Sequence, residues 1–231
     1  MKRGVLIRPA ACLAALFLAV ACAHAPSATA TSASAAQPVT KGESDRAAAA
    51  RARADSTRRP YTPADIHFVS GMIGHHAQAI AMSQWAESHG ASNSVRTLAG
   101  RIINAQRDEI TLMQNWLRDR GQPVPEADPR GMKMDMGGMT HYMAMPGMLT
   151  EQQMKELDAA RGVDFDRLFL NFMIQHHRGA VQMVKELLDT PGSVNDETVW
   201  KLANDVNVDQ TTEITRMQQM LALLTIQGRL P

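Results

Sequence analysis

Two near-copies of one short segment, Met72-Ile73-Gly74-His75-His76 and Met173-Ile174-Gln175-His176-His177, lie 101 residues apart. Each runs on into an apolar helical stretch, Ala79-Ile80-Ala81-Met82 and Ala180-Val181-Gln182-Met183. A double histidine inside an apolar helix is costly unless the imidazoles find partners. A chain that does this twice is built around those four rings. At about 100° per residue, His75 lies roughly 60° to one side of Met72 and His76 roughly 40° to the other. Both rings of each pair can therefore face one interior, beside a thioether.

The surrounding signals are helical. Thr62-Pro63-Ala64-Asp65 supplies an N-cap, a proline in the first turn and a capping acid. Phe68, Met72, His75, Ala79 and Met82 then mark a wide buried stripe, and the helix is expected to stop near His89-Gly90. A second helix is expected from about 93 to 120, a third from about 163 to 188 and a fourth from about 195 to 227, with a short one capped at Thr150. No stretch shows sustained strand-type alternation on this reading. Residues 121–149, rich in Gly, Pro and Met, read as a long loop.

The second and fourth helices repeat as well, at an offset of 104, with Gln106, Glu109, Ile110 and Met113 against Gln210, Glu213, Ile214 and Met217. Two similar helical hairpins in one chain imply an all-α four-helix bundle with a long Met-rich crossover. Its pseudo-twofold axis would bring the two His-His pairs towards a shared interior.

The start of the chain reads as an address. A basic stretch and an apolar run over 1–21 form a secretory signal too short to span a bilayer. It ends Ala19-Val20-Ala21-Cys22, similar to a lipoprotein signal in which Cys22 becomes the lipidated N-terminus. Residues 22–59 lack aromatic side chains and read as a disordered tether, and 60–231 as the bundle domain. The only other cysteine, Cys12, lies inside the signal, so the mature chain forms no internal disulfide. Losing Lys2, Arg3 and Arg8 with the signal takes the formal charge from +1 to −2, which argues against nucleic acid as a partner.

The pattern Asp-x-x-Phe-x-x-x-Met-Ile-x-His-His-x-x-Ala-Ile/Val-x-Met, followed by Gln-x-x-Glu-Ile-x-x-Met, resembles the DUF305 family of ferritin-like bundle proteins. It runs from Asp65 to Met82 and Gln106 to Met113, recurs from Asp166 to Met183 and Gln210 to Met217, and the resemblance covers about 62–226. Some members resemble periplasmic copper binders that use His and Met. The resemblance thus implies copper as the bound metal.

On the residues themselves, imidazole suits copper, zinc, iron and nickel, whereas thioether selects Cu(I). The candidate core ligands are His75, His76, His176 and His177, then Met72 and Met173, with Met82 and Met183 a few turns away. Glu109 and Glu213 sit on the apolar stripes at equivalent positions. They serve either the metal or a non-metal network of buried His–Glu pairs that only sets helix register. Core methionines such as Met113 and Met217 more often pack than ligate.

The loop differs. Met132, Met134, Met136, Met139, Met143, Met145 and Met148 place seven of the chain's 16 methionines in 17 residues, with His141 among them. The expectation is a separate, weaker Cu(I) capture site, against a flexible apolar loop or an oxidant sink. A di-metal oxidase needs Glu-x-x-His on two helices. The positions three before the histidines are Met72, Ile73, Met173 and Ile174, so no enzyme is expected. The expectation from sequence is an extracytoplasmic, lipid-anchored copper protein for sequestration or handover, with the metal ion, the membrane and a copper-handling protein as partners. A non-metal structural module is the alternative.

Overall fold

The computed structural model describes residues 60–136, 139–226 and 228. The signal (1–21), Cys22 and the tether to residue 59 lie outside the described residues. Four long helices and one short one carry the fold: α1 Pro63–Ser88, α2 Asn93–Asp119, α3 Glu151–Ala159, α4 Gly162–Leu188 and α5 Glu197–Ile226. The crossover holds two strands, β1 Met132–Met136 and β2 Met139–Met143.

The caps form as their residues dictate. Thr62 Oγ1 accepts from the Asp65 amide and Asp65 Oδ2 accepts from the Thr62 amide, a complete capping box ahead of the proline. Thr150 and Gln153 do the same for α3. Asp65, itself buried, also accepts from the Val194 amide at 2.8 Å, in the turn of the other hairpin. Its repeat partner Asp166 accepts from the Ser92 amide at 3.1 Å, in the turn of the first hairpin. Each helix that carries histidines thus ties its N-terminal end to the opposite hairpin. That reciprocity sets α1 against α4 head to tail about a pseudo-twofold.

The core divides accordingly. One apolar cluster joins Phe68, Val69 and Met72 of α1 to Met183, Val184 and Leu187 of α4, with Met113 of α2. The other joins Ala79, Met82 and Ala86 of α1 to Phe165, Phe169 and Met173 of α4, with Met217 of α5. The histidines lie between. Each side of that layer therefore receives three repeat-related methionines, Met72, Met113 and Met183 on one and Met82, Met173 and Met217 on the other.

The crossover is where the structure departs from the expected long loop. Met132 pairs with Met143, Lys133 with Tyr142, Met134 with His141, Asp135 with Thr140 and Met136 with Met139, an antiparallel ribbon. The residues did alternate, Met-Lys-Met-Asp-Met and Met-Thr-His-Tyr-Met, about a Gly-Gly pair, which is a hairpin signal. Methionine is not one of the β-branched or aromatic residues that mark a strand, and Lys133 and Asp135 belong to types depleted there, which masked the alternation. Both ends of the crossover are fastened to α1 by Gln78. Its Nε2 donates to the Pro129 and Leu149 carbonyls, each at 3.1 Å, and its Oε1 accepts from the Leu149 amide at 2.6 Å. The covering crossover explains why α1 is buried without a break from Phe68 to Ala79.

A strap, residues 144–149, lies against α1 and α4. It comes so close that a Cβ on Gly179 would sit 1.9 Å from the Pro146 carbonyl oxygen, and one on Gly71 2.7 Å from Met145 Sδ. Only glycine admits the strap backbone at 179, whereas at 71 the Met145 side chain would have to shift.

Candidate metal centre

His75, His76, His176 and His177 are fully buried in one layer between the two apolar clusters. The symmetry expectation is met at its centre. The His75 and His176 rings, one from each hairpin, lie 3.8 Å apart centroid to centroid and are tilted by 42°. His76 is 6.3 Å from His75 and His177 is 6.2 Å from His176, on the flanks.

Each flank meets a carboxylate of the neighbouring long helix. His76 Nε2 donates to Glu109 Oε2 at 2.6 Å, and His177 Nε2 donates to Glu213 Oε2 at 2.6 Å. His75 Nε2 donates to the Pro146 carbonyl at 3.0 Å. A carboxylate or a carbonyl only accepts, so these contacts put a proton on Nε2, and in a neutral imidazole that leaves the Nδ1 lone pair free. The Nδ1 atoms of His75, His76 and His177 are indeed buried without a hydrogen-bond partner, as are both ring nitrogens of His176.

Burial pushes His75 down to about 3, helped by the nearby His76 and His177 and partly offset by the Pro146 carbonyl. Burial, then the His75 and His177 rings, likewise holds His176 well below its usual range. Both rings are therefore neutral and able to donate lone pairs at any ordinary pH.

This burial has a pH signature. The unfolded chain takes up a proton on each of these histidines near pH 6.5, whereas the folded chain does not until far lower pH. Stability is therefore full above about pH 6.5 and falls as the pH drops towards 4, by about 1.4 kcal/mol per pH unit for each such ring. Urea unfolding of the metal-free chain from pH 7 to 4 measures this, and a flat midpoint would contradict it.

The Glu109 and Glu213 side chains are half-buried, 17% and 21% exposed, and floor a cleft of about 290 Å³ between α2 and α5. Gln106 and Gln210 line it too. Both amide atoms of Gln106 and Oε1 of Gln210 are buried without a partner. Asp209 stands in the same cleft. Burial, then the Glu109 and Glu213 carboxylates, raises its affinity for a proton.

The methionines named from sequence are only partly gathered here. Met72 and Met183 flank the histidine layer on one side, Met82 and Met173 on the other. Met145 and Met148 are buried in the first cluster, and Met132 and Met143 are half-buried against it. Met134 and His141 sit one rung farther along the hairpin. Met136 and Met139 form the last backbone pair, beyond Asp135 and Thr140. Met132, Met143, Met145 and Met148 of the crossover thus join one side of the core. Among the described residues, no group of three or more His, Cys, Asp or Glu side chains is placed to hold a metal ion. What the layer offers a soft ion is neutral imidazole nitrogens with thioethers nearby, a donor set that fits copper.

Two contributors left little or no mark in the side-chain pattern. The Pro146 carbonyl is backbone, so no residue type betrays it. The cross-hairpin role of Asp65 and Asp166 was visible only as two aspartates at the shared offset of 101.

Fold and site together define an all-α protein of two helical hairpins closed around a buried histidine layer. The profile described as "Domain of unknown function (DUF305)" matches residues 65–221. The chain belongs to the DUF305 family. A DUF305 protein of Streptomyces coelicolor, provisionally classed as secreted, is similar at 32% identity over 69% of this chain and 92% of its own, with a TM-score of 0.57. A DUF305 fragment from Deinococcus radiodurans is similar at 30% over 71% and 99%, TM-score 0.58. CopM in its Cu(I)-bound form is similar at 28% over 70% and 96%, TM-score 0.51, and CopM is also solved with Cu(II) bound. Uncharacterized protein L153 of Acanthamoeba polyphaga mimivirus is 38% identical over 56 residues, which span 24% of this chain and 37% of that relative.

Proposed function

We propose that the chain is an extracytoplasmic copper-binding protein that sequesters the ion or hands it on, with the histidine layer as its interior site. One observation carries this. Histidines that bind metals characteristically donate the other ring N–H to a carboxylate or a backbone carbonyl. His76, His177 and His75 do so to Glu109, Glu213 and Pro146, and each leaves its second nitrogen buried and unpaired. A network built only to set register would satisfy that second nitrogen, because an unmet buried polar atom costs about 1–3 kcal/mol. On this reading Glu109 and Glu213 orient ligands rather than serve as ligands. CopM, similar in fold and sequence, holds copper in its own solved structures.

A secretory signal over 1–21 would carry the site outside the cytoplasm, and lipidation at Cys22 would hold it at a membrane surface, on the periplasmic face or the cell exterior. Among the described residues, no helix is long and apolar enough to cross a membrane. The chemistry is binding rather than catalysis. Copper is the cargo, and a copper-handling protein would be the donor or acceptor.

Glu109→Gln and Glu213→Gln test the carrying observation. Each keeps its size and drops the charge that fixes the tautomer. Each is expected to weaken copper binding about 10–100-fold, the usual cost of losing such a supporting partner. Competitive titration with a copper chelator reads the change. Wild-type affinity in both variants would reject the orienting role.

A further inference from the structure

The hairpin register has a consequence for how the interior is reached. Residues directly opposite in an antiparallel pair project from the same face. Met132 faces Met143 and Met134 faces His141, so these four donors share one face of the ribbon, about 6.6 Å from one rung to the next. The other face carries Lys133 and Tyr142. Arg130 holds that polar face down. It donates to the Tyr142 hydroxyl at 2.6 Å, lies 3.9 Å over its ring and pairs with Asp128.

From the inner rung further thioethers follow within one apolar cluster. Met132 and Met143 pack against the apolar cluster that contains Met145, Met148, Met72 and Met183. Met148 Sδ accepts from the Met145 amide at 3.2 Å. Met145 Sδ and Met183 Cε both lie within 4 Å of the space that a Gly71 side chain would fill. The next residue of the strap, Pro146, holds His75. The opposite cluster has its own Met82, Met173 and Met217, but none of the crossover methionines whose side chains are described. The pseudo-twofold is broken on the side where the ribbon arrives.

We propose that this methionine ladder is the conduit by which a soft monovalent ion, Cu(I) or Ag(I), passes from the outer rung, half-buried Met134 and exposed His141, to the histidine layer. It rests on the reading of that layer as a copper site. The ion keeps its charge throughout. Each move exchanges one neutral thioether or imidazole donor for another, so no proton is released and no redox partner is required. Leucine would fill the same volume, so packing does not demand sulfur at every step. A route of exchanging donors does.

The test presents Cu(I) to the full chain as the complex of a chromophoric chelator. The absorbance change gives the rate of uptake, and its endpoint gives the equilibrium affinity. Met145→Leu, and separately Met132→Leu with Met143→Leu, preserve volume and are checked for folding by thermal unfolding. Each is expected to slow loading of the interior by about tenfold or more, while the histidine layer still fills by the endpoint. Asp209→Asn, at the mouth of the α2–α5 cleft, is expected to leave the rate alone. Loading at the wild-type rate in both ladder variants overturns the conduit. So does a slowing caused by Asp209→Asn instead, which makes the cleft the route. If the interior takes up no Cu(I) in the unsubstituted chain, the copper reading itself falls, and the two failures are thereby told apart.

Discussion

A chain carrying His75→Leu together with His176→Leu is expected to remain folded and to lose interior copper binding, with affinity down more than about 100-fold, roughly 2.7 kcal/mol. These rings form the centre of the layer, 3.8 Å apart, one from each hairpin. Neither nitrogen of His176 makes a well-formed hydrogen bond, although the His75 backbone lies near, so leucine there removes a poorly met polar group and fills similar space. The fold should tolerate it or gain from it. His75→Leu strands the Pro146 carbonyl that it now satisfies, and about 1–3 kcal/mol is the expected cost. The two effects largely offset each other. Unfolding in urea and chelator competition for Cu(I) are read on the same sample. A stable variant that binds Cu(I) as the parent does would remove the layer from consideration as the site. The alternative, a purely structural His–Glu network, forecasts that outcome.

The largest effect on stability is expected far from the histidines, at Asp196. This buried carboxylate precedes α5 and accepts from the Thr198 and Val199 amides at 3.0 and 3.2 Å. It also accepts from Trp116 Nε1 at 3.1 Å and pairs with Arg120, both at the far end of α2. Arg120 in turn lies over the Trp116 ring at 4.3 Å and the Tyr61 ring at 5.6 Å. One side chain therefore caps a helix of the second hairpin and locks it to the first. Asp196→Ala leaves a guanidinium buried without its counter-charge. Such a loss costs about 3–5 kcal/mol, with the lost cap adding about 1 kcal/mol. For a domain of this size that lowers the thermal midpoint by roughly 10 °C or more. Calorimetry measures it. Adding Arg120→Met should restore much of the loss, because an apolar side chain of similar length removes the stranded charge. Failure of the second substitution to rescue would show that the cap, not the ion pair, carries the energy.

Much of the site was legible beforehand because helices impose a local period. Once Met72, His75, His76 and Ala79 fall at spacings of three and four, the face that they share is settled, and so is its burial. The repeat offsets of 101 and 104 then made two hairpins and one shared interior the natural arrangement. Glu109 and Glu213 were legible as possible partners, because equivalent stripe positions in paired helices must face equivalent neighbours. The methionine ribbon was misread as loop, although its residues alternate. Its strand character came from docking on α1 and from pairing, not from the propensity of methionine.

The chain by itself determined the helices, their buried faces, the four imidazoles in one interior and the concentration of methionine in the crossover. All of these follow from periods of two or 3.6 and from where apolar side chains must go. Tertiary structure alone decided which nitrogen of each ring is engaged. It also decided that a backbone carbonyl of the strap holds His75, that Asp65 and Asp166 cross between hairpins, and that the ribbon docks on one side of the layer only. Those facts depend on hydrogen-bond geometry between segments far apart in the chain, and a carbonyl oxygen is the same in every residue. Periodicity places a histidine in the core, and only its neighbours in space determine which of its lone pairs is left for a metal.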